Sequence, residues 1–252
     1  MTAIQPIRNT LSSSLERVIQ LARSWACQLF GALIFSALVA ALNPVLALPL
    51  GDAPIAGAAA VIDGDTLDIA GERVRLQGID APEMAQTCKS AAGTDWACGR
   101  EAQKKLIDLT QGQTVACDRK GQDKYARTLA VCFVEGEDIN AILVKAGLAR
   151  AFVKYSQDYV VEEADARSTG AGLWQGDSVA PWDFRNKRWQ AAETAAPSGC
   201  AIKGNISNNG HIYHVPWSTW YDKVRIETGR GERWFCTEAE AAAAGWRAAE
   251  QR

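Results

Sequence analysis

Six of the seven cysteines follow residue 47, and they lie in three pairs that are close in the sequence. An even number of cysteines in an exported chain is typical of disulfide bonds, and each bond would fix one loop of the fold. Short spacing favours neighbouring partners. The predicted pairs are Cys88 with Cys98, Cys117 with Cys132, and Cys200 with Cys236. Six reduced thiols in a cytosolic protein are the alternative interpretation.

Residues 1–47 have the pattern of an export signal. Three arginines and one glutamate precede a largely apolar run, residues 27–42, and Val45 and Ala47 then form a small-residue cleavage site. The apolar run approaches the roughly 20 residues that span a bilayer, so an uncleaved N-terminal anchor is the alternative. Both interpretations predict an exported protein, periplasmic or secreted, with an inner-membrane tether if the segment is retained.

The composition limits the class of protein. The chain has 252 residues, of which 48% are hydrophobic and 22% are charged, and this excludes a disordered, collagen-like or polytopic membrane protein. The length accommodates one medium catalytic domain with a targeting segment and a small appendage, but no large multidomain machine.

A first β-hairpin is predicted from the period-two pattern of residues 66–76, TLDIAGERVRL, around a turn at Gly71 and Glu72. The residue numbers of two cross-strand partners would then add up to about 143. This register places Asp63 opposite Asp80, with Asp65 close by on the same face.

A second hairpin joins residues 114–120 to residues 127–133, and it places its two cysteines on facing arms. Helices are predicted over residues 99–111, 138–147 and 158–167. The core is therefore expected to be strand-rich first and helix-rich later.

Three carboxylates, those of Asp63, Asp65 and Asp80, should converge at the first hairpin. Clustered carboxylates repel each other unless a cation holds them, and ligands that are all oxygen select a hard ion such as calcium or magnesium. No histidine precedes His211, so a transition metal is not expected here. The alternative is that these are ordinary acidic turns.

Two arginines favour a function for this cluster. Arg75 projects from the same hairpin as the acids, and Arg127 follows a polar loop. Guanidinium groups near a divalent ion stabilise the charge that develops on a phosphodiester in its transition state. The alternative is that each arginine pairs with a surface carboxylate, which contributes little.

Four segments in this order resemble the staphylococcal nuclease (thermonuclease) family. They are VIDGDT at 61–66, RLQGIDAPE at 75–83, KYARTLA at 124–130 and DINAILVKAGLARA at 138–151. The resemblance implies a β-rich α+β fold, namely an OB-fold five-stranded barrel with flanking helices. The predicted division is a signal peptide or anchor at 1–47, a linker at 48–56, the nuclease-like domain at 57–177, a linker at 178–199 and a small C-terminal module at 200–252.

The resemblance also implies the chemistry of the site. Asp65, Asp80 and the backbone carbonyl of Ala81 would bind Ca²⁺, and Glu83 would be the general base. Arg75 and Arg127 would hold the scissile phosphate. The implied reaction is attack of water on phosphorus with loss of the 5′-oxygen, which leaves 3′-phosphate ends.

The resemblance implies that Tyr125 and Tyr155 line the nucleotide pocket, and a buried core position is the alternative for both tyrosines. Lys124 is predicted to contact the substrate as one of the local positive groups. Residues 57–177 hold 14 Lys and Arg against 19 Asp and Glu, a net charge of −5. Binding to a polyanion should therefore depend on local positive groups and be sensitive to salt.

Residues 200–252 resemble the small bacterial "sunset" domain, whose function is unassigned. His211 and His214 lie between the two cysteines of this module, so a Cys/His zinc site is an alternative to the disulfide. A helix is predicted from Thr237 to Gln251, with Trp246 available for packing.

The leading hypothesis is an exported, calcium-dependent nuclease that acts on DNA, RNA or both, with no stable protein partner inferred. A catalytically silent OB-fold module that binds nucleic acid or another envelope polymer is the second hypothesis. A phosphodiesterase for small nucleotides is the third. The sequence leaves open whether cutting is internal or from ends.

Overall fold

The structure is a computed structural model that describes residues 54–249. The predicted signal or anchor at 1–47 and most of the predicted linker at 48–56 lie outside the described residues. Within 54–249, no helix is both long enough and apolar enough to cross a membrane.

Fifteen strands and five α-helices are found in the described residues. The strands are β1 Ile55–Gly57, β2 Ala59–Val61, β3 Thr66–Ile69, β4 Glu72–Leu76, β5 Ile79–Asp80, β6 Cys88–Lys89, β7 Asp95–Trp96, β8 Val115–Gln122, β9 Thr128–Val134, β10 Glu137–Asp138, β11 Arg150–Ala151, β12 Ile202–Ser207, β13 Gly210–His214, β14 Arg233–Phe235 and β15 Arg247–Ala248. The helices are α1 Cys98–Thr110, α2 Ile139–Lys145, α3 Val160–Thr169, α4 Pro181–Ala195 and α5 Glu238–Ala243.

A mixed seven-stranded sheet forms the centre of the part of the fold that contains β1 to β11. Its strand order is β1-β8-β9-β4-β3-β2, and β10 pairs with β9. The β4 to β9 pair is parallel, whereas the other pairs in this sheet are antiparallel. Alternate side chains of β3 and β4, such as Leu67 and Val74, are fully buried in the core together with Leu106 of α1 and Leu143 of α2. The predicted β-rich α+β class is confirmed.

The first hairpin turns one residue earlier than the sequence predicts. Ile69 pairs with Glu72, so the residue numbers of cross-strand partners add up to 141. Asp63 is therefore not opposite Asp80. The turn residues Ala70 and Gly71 both have positive φ, 54° and 84°, as a two-residue type I′ turn requires. The predicted register is wrong by two residues, and a shift of two keeps every side chain on its predicted face.

All three predicted cysteine pairs are brought together as disulfides. The Cα–Cα distances are 5.7 Å for Cys88–Cys98, 4.0 Å for Cys117–Cys132 and 4.1 Å for Cys200–Cys236. Cys117 and Cys132 lie directly opposite each other on β8 and β9. Disulfides of this number suggest an extracellular or periplasmic protein.

The helices that flank the sheet follow local signals. The Asp138 carboxylate accepts a hydrogen bond from the Ala141 N–H at 3.0 Å and caps α2, as predicted. Helix α3 ends at Gly170, which has a φ of 64°. Helix α4 begins with Pro181 at its first turn and occupies most of the segment that the sequence assigns to a linker.

The C-terminal part has its own four-stranded sheet, in the order β14-β12-β13-β15, and a core that includes Ile202, Phe235 and Trp246. The predicted helix from Thr237 to Gln251 is wrong in length. Helix α5 ends at Ala243 because the chain turns at Gly245, with a φ of 79°, and continues into β15. Trp246 packs into the core as predicted.

Candidate active site

Asp65 is held at the end of a tight turn that packs against helix α1. A Cβ atom at Gly64 would lie 2.7 Å from the Cβ of Ala81 and 2.8 Å from the Cβ of Ala102, so only glycine fits there. The Asp65 carboxylate is buried and accepts hydrogen bonds from the Ala81 N–H at 2.7 Å and from the Thr66 hydroxyl at 3.2 Å. These bonds join Asp65 to the segment that follows β5.

Arg75 connects two of the predicted cation ligands. One guanidinium nitrogen of Arg75 pairs with Asp65, and another lies 2.9 Å from Oδ1 of Asp80. Asp80 is fully buried on β5, which pairs with β11. The structure therefore brings Asp65, Arg75 and Asp80 together, as the sequence predicts.

A second arginine enters this cluster from helix α4. The Arg185 guanidinium lies 3.1 Å from Oδ1 and 2.7 Å from Oδ2 of Asp80, and 2.8 Å from Oε1 of Glu83. Sequence reasoning missed Arg185, which is one arginine in a polar segment with no motif around it. No signal in the sequence pointed to it.

The cluster carries more negative than positive charge. It has four carboxylates, those of Asp63, Asp65, Asp80 and Glu83, against the guanidinium groups of Arg75 and Arg185. Burial raises the pKa of Glu83 to about 7, against the opposing charge of Arg185. Burial also raises the pKa of Asp63, and the charges of Arg75, Arg127 and Arg73 oppose that rise. Both shifts mean that further positive charge would be stabilising here.

The donor chemistry of the cluster fits a hard divalent cation, because every donor is oxygen and the excess charge is negative. In this arrangement guanidinium groups lie against Asp65, Asp80 and Glu83. Within residues 54–249, no three acid, histidine or cysteine side chains converge as a ready metal site. In the C-terminal part, Cys200 and Cys236 bind each other, and the Nε2 atom of His214 lies 2.9 Å from Oδ1 of Asn205.

Arg127 lies in the turn of residues 123–127, between β8 and β9. Oδ2 of Asp123 accepts from Nε of Arg127 at 2.7 Å, and Oδ1 accepts from the N–H groups of Tyr125 and Arg127 at 2.8 and 3.0 Å. Burial raises the pKa of Asp123, but the charge and hydrogen bonds of Arg127 outweigh this and hold that pKa below its usual value. Arg127 thus pairs with a local carboxylate, which is the alternative that the sequence left open.

The predicted substrate residues are on the surface. The Tyr125 side chain is 42% exposed and Tyr155 is 66% exposed, so neither is a core tyrosine. The Lys124 ammonium lies 4.8 Å from the centre of the Tyr125 ring. Hydrogen bonding to Tyr125 raises the pKa of Lys124, and Glu238 and Tyr155 are close enough to contribute. These groups form one exposed patch.

The C-terminal part reaches this patch through Glu238. The Tyr213 hydroxyl donates to Oε2 of Glu238 at 3.1 Å. Burial raises the pKa of Glu238, while hydrogen bonds from Tyr213 and Tyr125 and the charge of Arg127 oppose the rise. A carboxylate of the C-terminal part therefore lies beside the cations that the sequence assigns to substrate binding.

Comparisons with known proteins show which families the two parts of the chain are similar to. The sequence model of the family described as "Staphylococcal nuclease homologue" matches residues 73–176, and a model described as "ArfC" matches residues 187–248. "Micrococcal nuclease" of Shigella flexneri is 34% identical over 143 residues, which cover 50% of this chain and 76% of that protein.

Two further relatives match the same part. An "Uncharacterized endonuclease" of Haemophilus influenzae is 36% identical over 135 residues, 50% of this chain and 70% of that protein. "Succinoglycan biosynthesis protein ExoI" of Rhizobium meliloti is 41% identical over 128 residues, 48% of this chain and 65% of that protein.

These matches support an enzyme of the phosphodiester hydrolase class. The chain belongs to the family of staphylococcal nuclease homologues, whose fold is the OB-fold.

Proposed function

We propose that this protein is an exported, calcium-dependent nuclease that hydrolyses phosphodiester bonds of DNA, RNA or both and leaves 3′-phosphate ends. The observation that carries the proposal is the buried cluster in which Arg75 bridges Asp65 and Asp80, with Glu83 close to the same Asp80. Acids and a guanidinium in this arrangement suit the transfer of a phosphoryl group to water.

The proposed reaction forms one bond between water oxygen and phosphorus and breaks the bond between phosphorus and the 5′-oxygen, which takes a proton from solvent water and leaves as a 5′-hydroxyl. Glu83 takes the proton of the attacking water, and its pKa of about 7 suits a base at neutral pH. Arg75 and Arg127 donate hydrogen bonds to the phosphoryl oxygens, whose negative charge increases in the transition state.

The residues that would hold Ca²⁺ are Asp65, Asp80 and the carbonyl group of Ala81. When bound, the ion supplies positive charge that stabilises the phosphoryl oxygens. The observation that supports this assignment is that the carboxylates of Asp65 and Asp80 lie buried on either side of Arg75. Burial also raises the pKa values of Asp63 and Glu83, and a bound cation would offset the cost of charging them.

The exposed patch of Lys124, Tyr125 and Tyr155 is proposed to bind the nucleotide next to the scissile bond. Its aromatic rings are accessible to a base, and stacking on such rings is tolerant of sequence. Because residues 57–177 carry a net charge of −5, affinity should fall steeply as salt increases.

Export is supported by the three disulfides, since such bonds persist in oxidising compartments. A silent binding module is not favoured, because the acids and arginines at all five matched positions are present and four of them, those of Asp65, Arg75, Asp80 and Glu83, lie in one cluster.

The test is cleavage of single-stranded DNA and of RNA by the purified, oxidised protein, with calcium and again with calcium chelated. The Glu83→Gln variant is the control for contaminating nuclease. Calcium-dependent cleavage with 3′-phosphate ends, absent in the variant, is expected. No cleavage at low salt with calcium present would contradict the proposal and leave the cluster with a structural role.

A further inference from the structure

Arg185 stands outside the segment that the nuclease family matches, yet it contacts the centre of the proposed site. The family match ends at residue 176, and Arg185 lies in the second turn of helix α4. Its guanidinium binds both oxygens of Asp80 and one oxygen of Glu83, and its side chain is only 22% exposed. A contact of this kind differs from an exposed surface ion pair, which is worth little.

The chain that leads into helix α4 is fixed to the nuclease part at several points. A Cβ atom at Gly176 would lie 2.5 Å from the Ser90 carbonyl oxygen, so this glycine allows a close approach. A guanidinium nitrogen of Arg150 donates to Ser178, at 3.0 Å to its carbonyl oxygen and 2.8 Å to its hydroxyl. The ring of Trp182 stacks on Phe152 with 5.4 Å between centres.

Gln86 links this segment directly to Glu83. Its side-chain amide donates to the Val179 carbonyl oxygen at 2.7 Å, and its oxygen accepts from the Glu83 N–H at 3.3 Å. One residue therefore holds both the backbone of Glu83 and the chain that carries Arg185. The position of Arg185 relative to Glu83 is determined by packing and not by the ion pair alone.

The geometry of the contact restricts two carboxylates at once. The planar guanidinium holds both oxygens of Asp80, which fixes the plane of that carboxylate, and shares a nitrogen with Glu83. Each carboxylate oxygen has more than one acceptor site, so Asp80 can bind Arg185 and a cation together. The positive charge of Arg185 would, however, weaken the binding of a neighbouring cation.

We propose that Arg185 is a positioning residue of the hydrolytic site. Its guanidinium orients Asp80 and Glu83, and its positive charge at the same time lowers the affinity for the cation. The proposal rests on the proposed nuclease function. It predicts an unusual combination: the loss of Arg185 makes turnover slower and calcium binding tighter. A residue with a structural role only would not tighten calcium binding.

The variants are Arg185→Gln, Arg185→Lys and, as a matched control on the same helix, Arg188→Gln. The Arg188 guanidinium contacts Asp222 and the Pro216 carbonyl oxygen in the C-terminal part and not the carboxylate cluster. For Arg185→Gln we expect kcat to fall about 100-fold with KM within about threefold of wild type, since misplaced reacting groups reduce turnover. Arg188→Gln should retain wild-type kcat and KM.

Calcium affinity is measured separately, by calorimetric titration of each purified protein with calcium and without nucleic acid. Arg185→Gln should bind calcium at least about tenfold more tightly than wild type, because a neighbouring positive charge is gone. Arg185→Lys keeps the charge but not the planar pair of donors. It should therefore bind calcium like wild type, within about threefold, and show a kcat between those of wild type and Arg185→Gln.

Circular dichroism confirms that each variant is folded. If Arg185→Gln is not folded, the uncharged Arg185→Met variant replaces it in both measurements, with the same expected results. Unchanged kcat in Arg185→Gln would overturn the role of Arg185, and so would calcium affinity that is unchanged or weaker in that variant. An inactive wild type that still binds calcium more weakly than Arg185→Gln would contradict the nuclease function and leave the charge effect of Arg185 in place. The two failures are therefore distinguishable.

Discussion

The carboxylate cluster and the turn of residues 123–127 both hold an arginine that the sequence assigns to the phosphate, but they hold it in different ways. Arg75 is buried, with 13% of its side chain exposed, and it joins Asp65 to Asp80 across the fold. Arg127 is 31% exposed and pairs with Asp123 of its own turn. The cluster is thus part of the core, whereas the turn is a local structure on the surface. Changes in the cluster should affect folding and catalysis together, and changes in the turn should affect catalysis alone.

The largest effect is expected for Arg75→Ala. This change removes a transition-state contact and leaves Asp65 and Asp80 with less compensation in a buried site, so kcat should fall by about 10³-fold or more. The free energy of unfolding should fall by about 3 to 5 kcal/mol, because the buried Asp65 carboxylate loses its guanidinium partner while Asp80 keeps Arg185. Single-turnover kinetics and urea unfolding measure the two quantities. Arg73 lies two residues earlier on the same strand, is 43% exposed and pairs only loosely with Asp68 at 3.8 Å. Arg73→Ala should therefore change the unfolding free energy by less than about 0.5 kcal/mol.

Arg127→Ala is the counterpart in the turn. Its kcat should fall by about 10²- to 10³-fold, as for the loss of one donor to the transition state. The free energy of unfolding should stay within about 1 kcal/mol of wild type, because the pair with Asp123 is partly exposed. A loss of stability equal to that of Arg75→Ala would show that the turn belongs to the core after all.

The pH dependence of stability should separate the two regions in the absence of calcium. The folded pKa of Glu83 is about 7 and its ordinary value is 4.5, so the folded state holds this proton more tightly than the unfolded state. The resulting stability, up to about 3 kcal/mol, is fully present below pH 4.5 and is lost as the pH rises through 7. Melting temperature in a chelator should therefore fall across this range and fall less in Glu83→Gln. An unchanged slope in the variant would remove Glu83 as the cause.

The smallest effect is expected at the contact between the C-terminal part and the turn. Glu238 places a carboxylate beside Lys124 and Arg127, where it competes with a substrate phosphate. Glu238→Gln should lower KM by about two- to fivefold and leave kcat unchanged, because the charge acts on binding. Glu240→Gln, on the same short helix, is the control. A higher KM in Glu238→Gln would mean that Glu238 helps to form the substrate surface.

The sequence predicts the first hairpin and the convergence of its acids because alternation determines which side chains share a face. It misplaces the register because Ala70, which is not a glycine, adopts a positive φ. Alanine is rarely found in that conformation, and nothing in the local sequence indicates it. A register error of two residues leaves each side chain on its predicted face of the sheet. The acids therefore still converge, although the predicted pairing is wrong.

The position of Arg185 in the site could not be predicted from the sequence. Arg185 lies 105 residues from Asp80, and its place in the site depends on packing by Gln86, Arg150 and Trp182, which no spacing rule describes. The length of α5 was overpredicted for a related reason. The alanine-rich composition favours a helix, but Trp246 is buried against Phe235, and this tertiary contact outweighs local propensity.

The proposed cation site is tested most directly by calorimetric titration of calcium into wild type, Asp80→Asn and Arg127→Ala under identical conditions, with folding checked by circular dichroism. Because the proposed cation ligands lie in the buried cluster and not in the turn, one calcium site is expected in wild type. That site should be lost in Asp80→Asn and kept with unchanged affinity in Arg127→Ala. Calcium binding that persists in folded Asp80→Asn would contradict the proposed site.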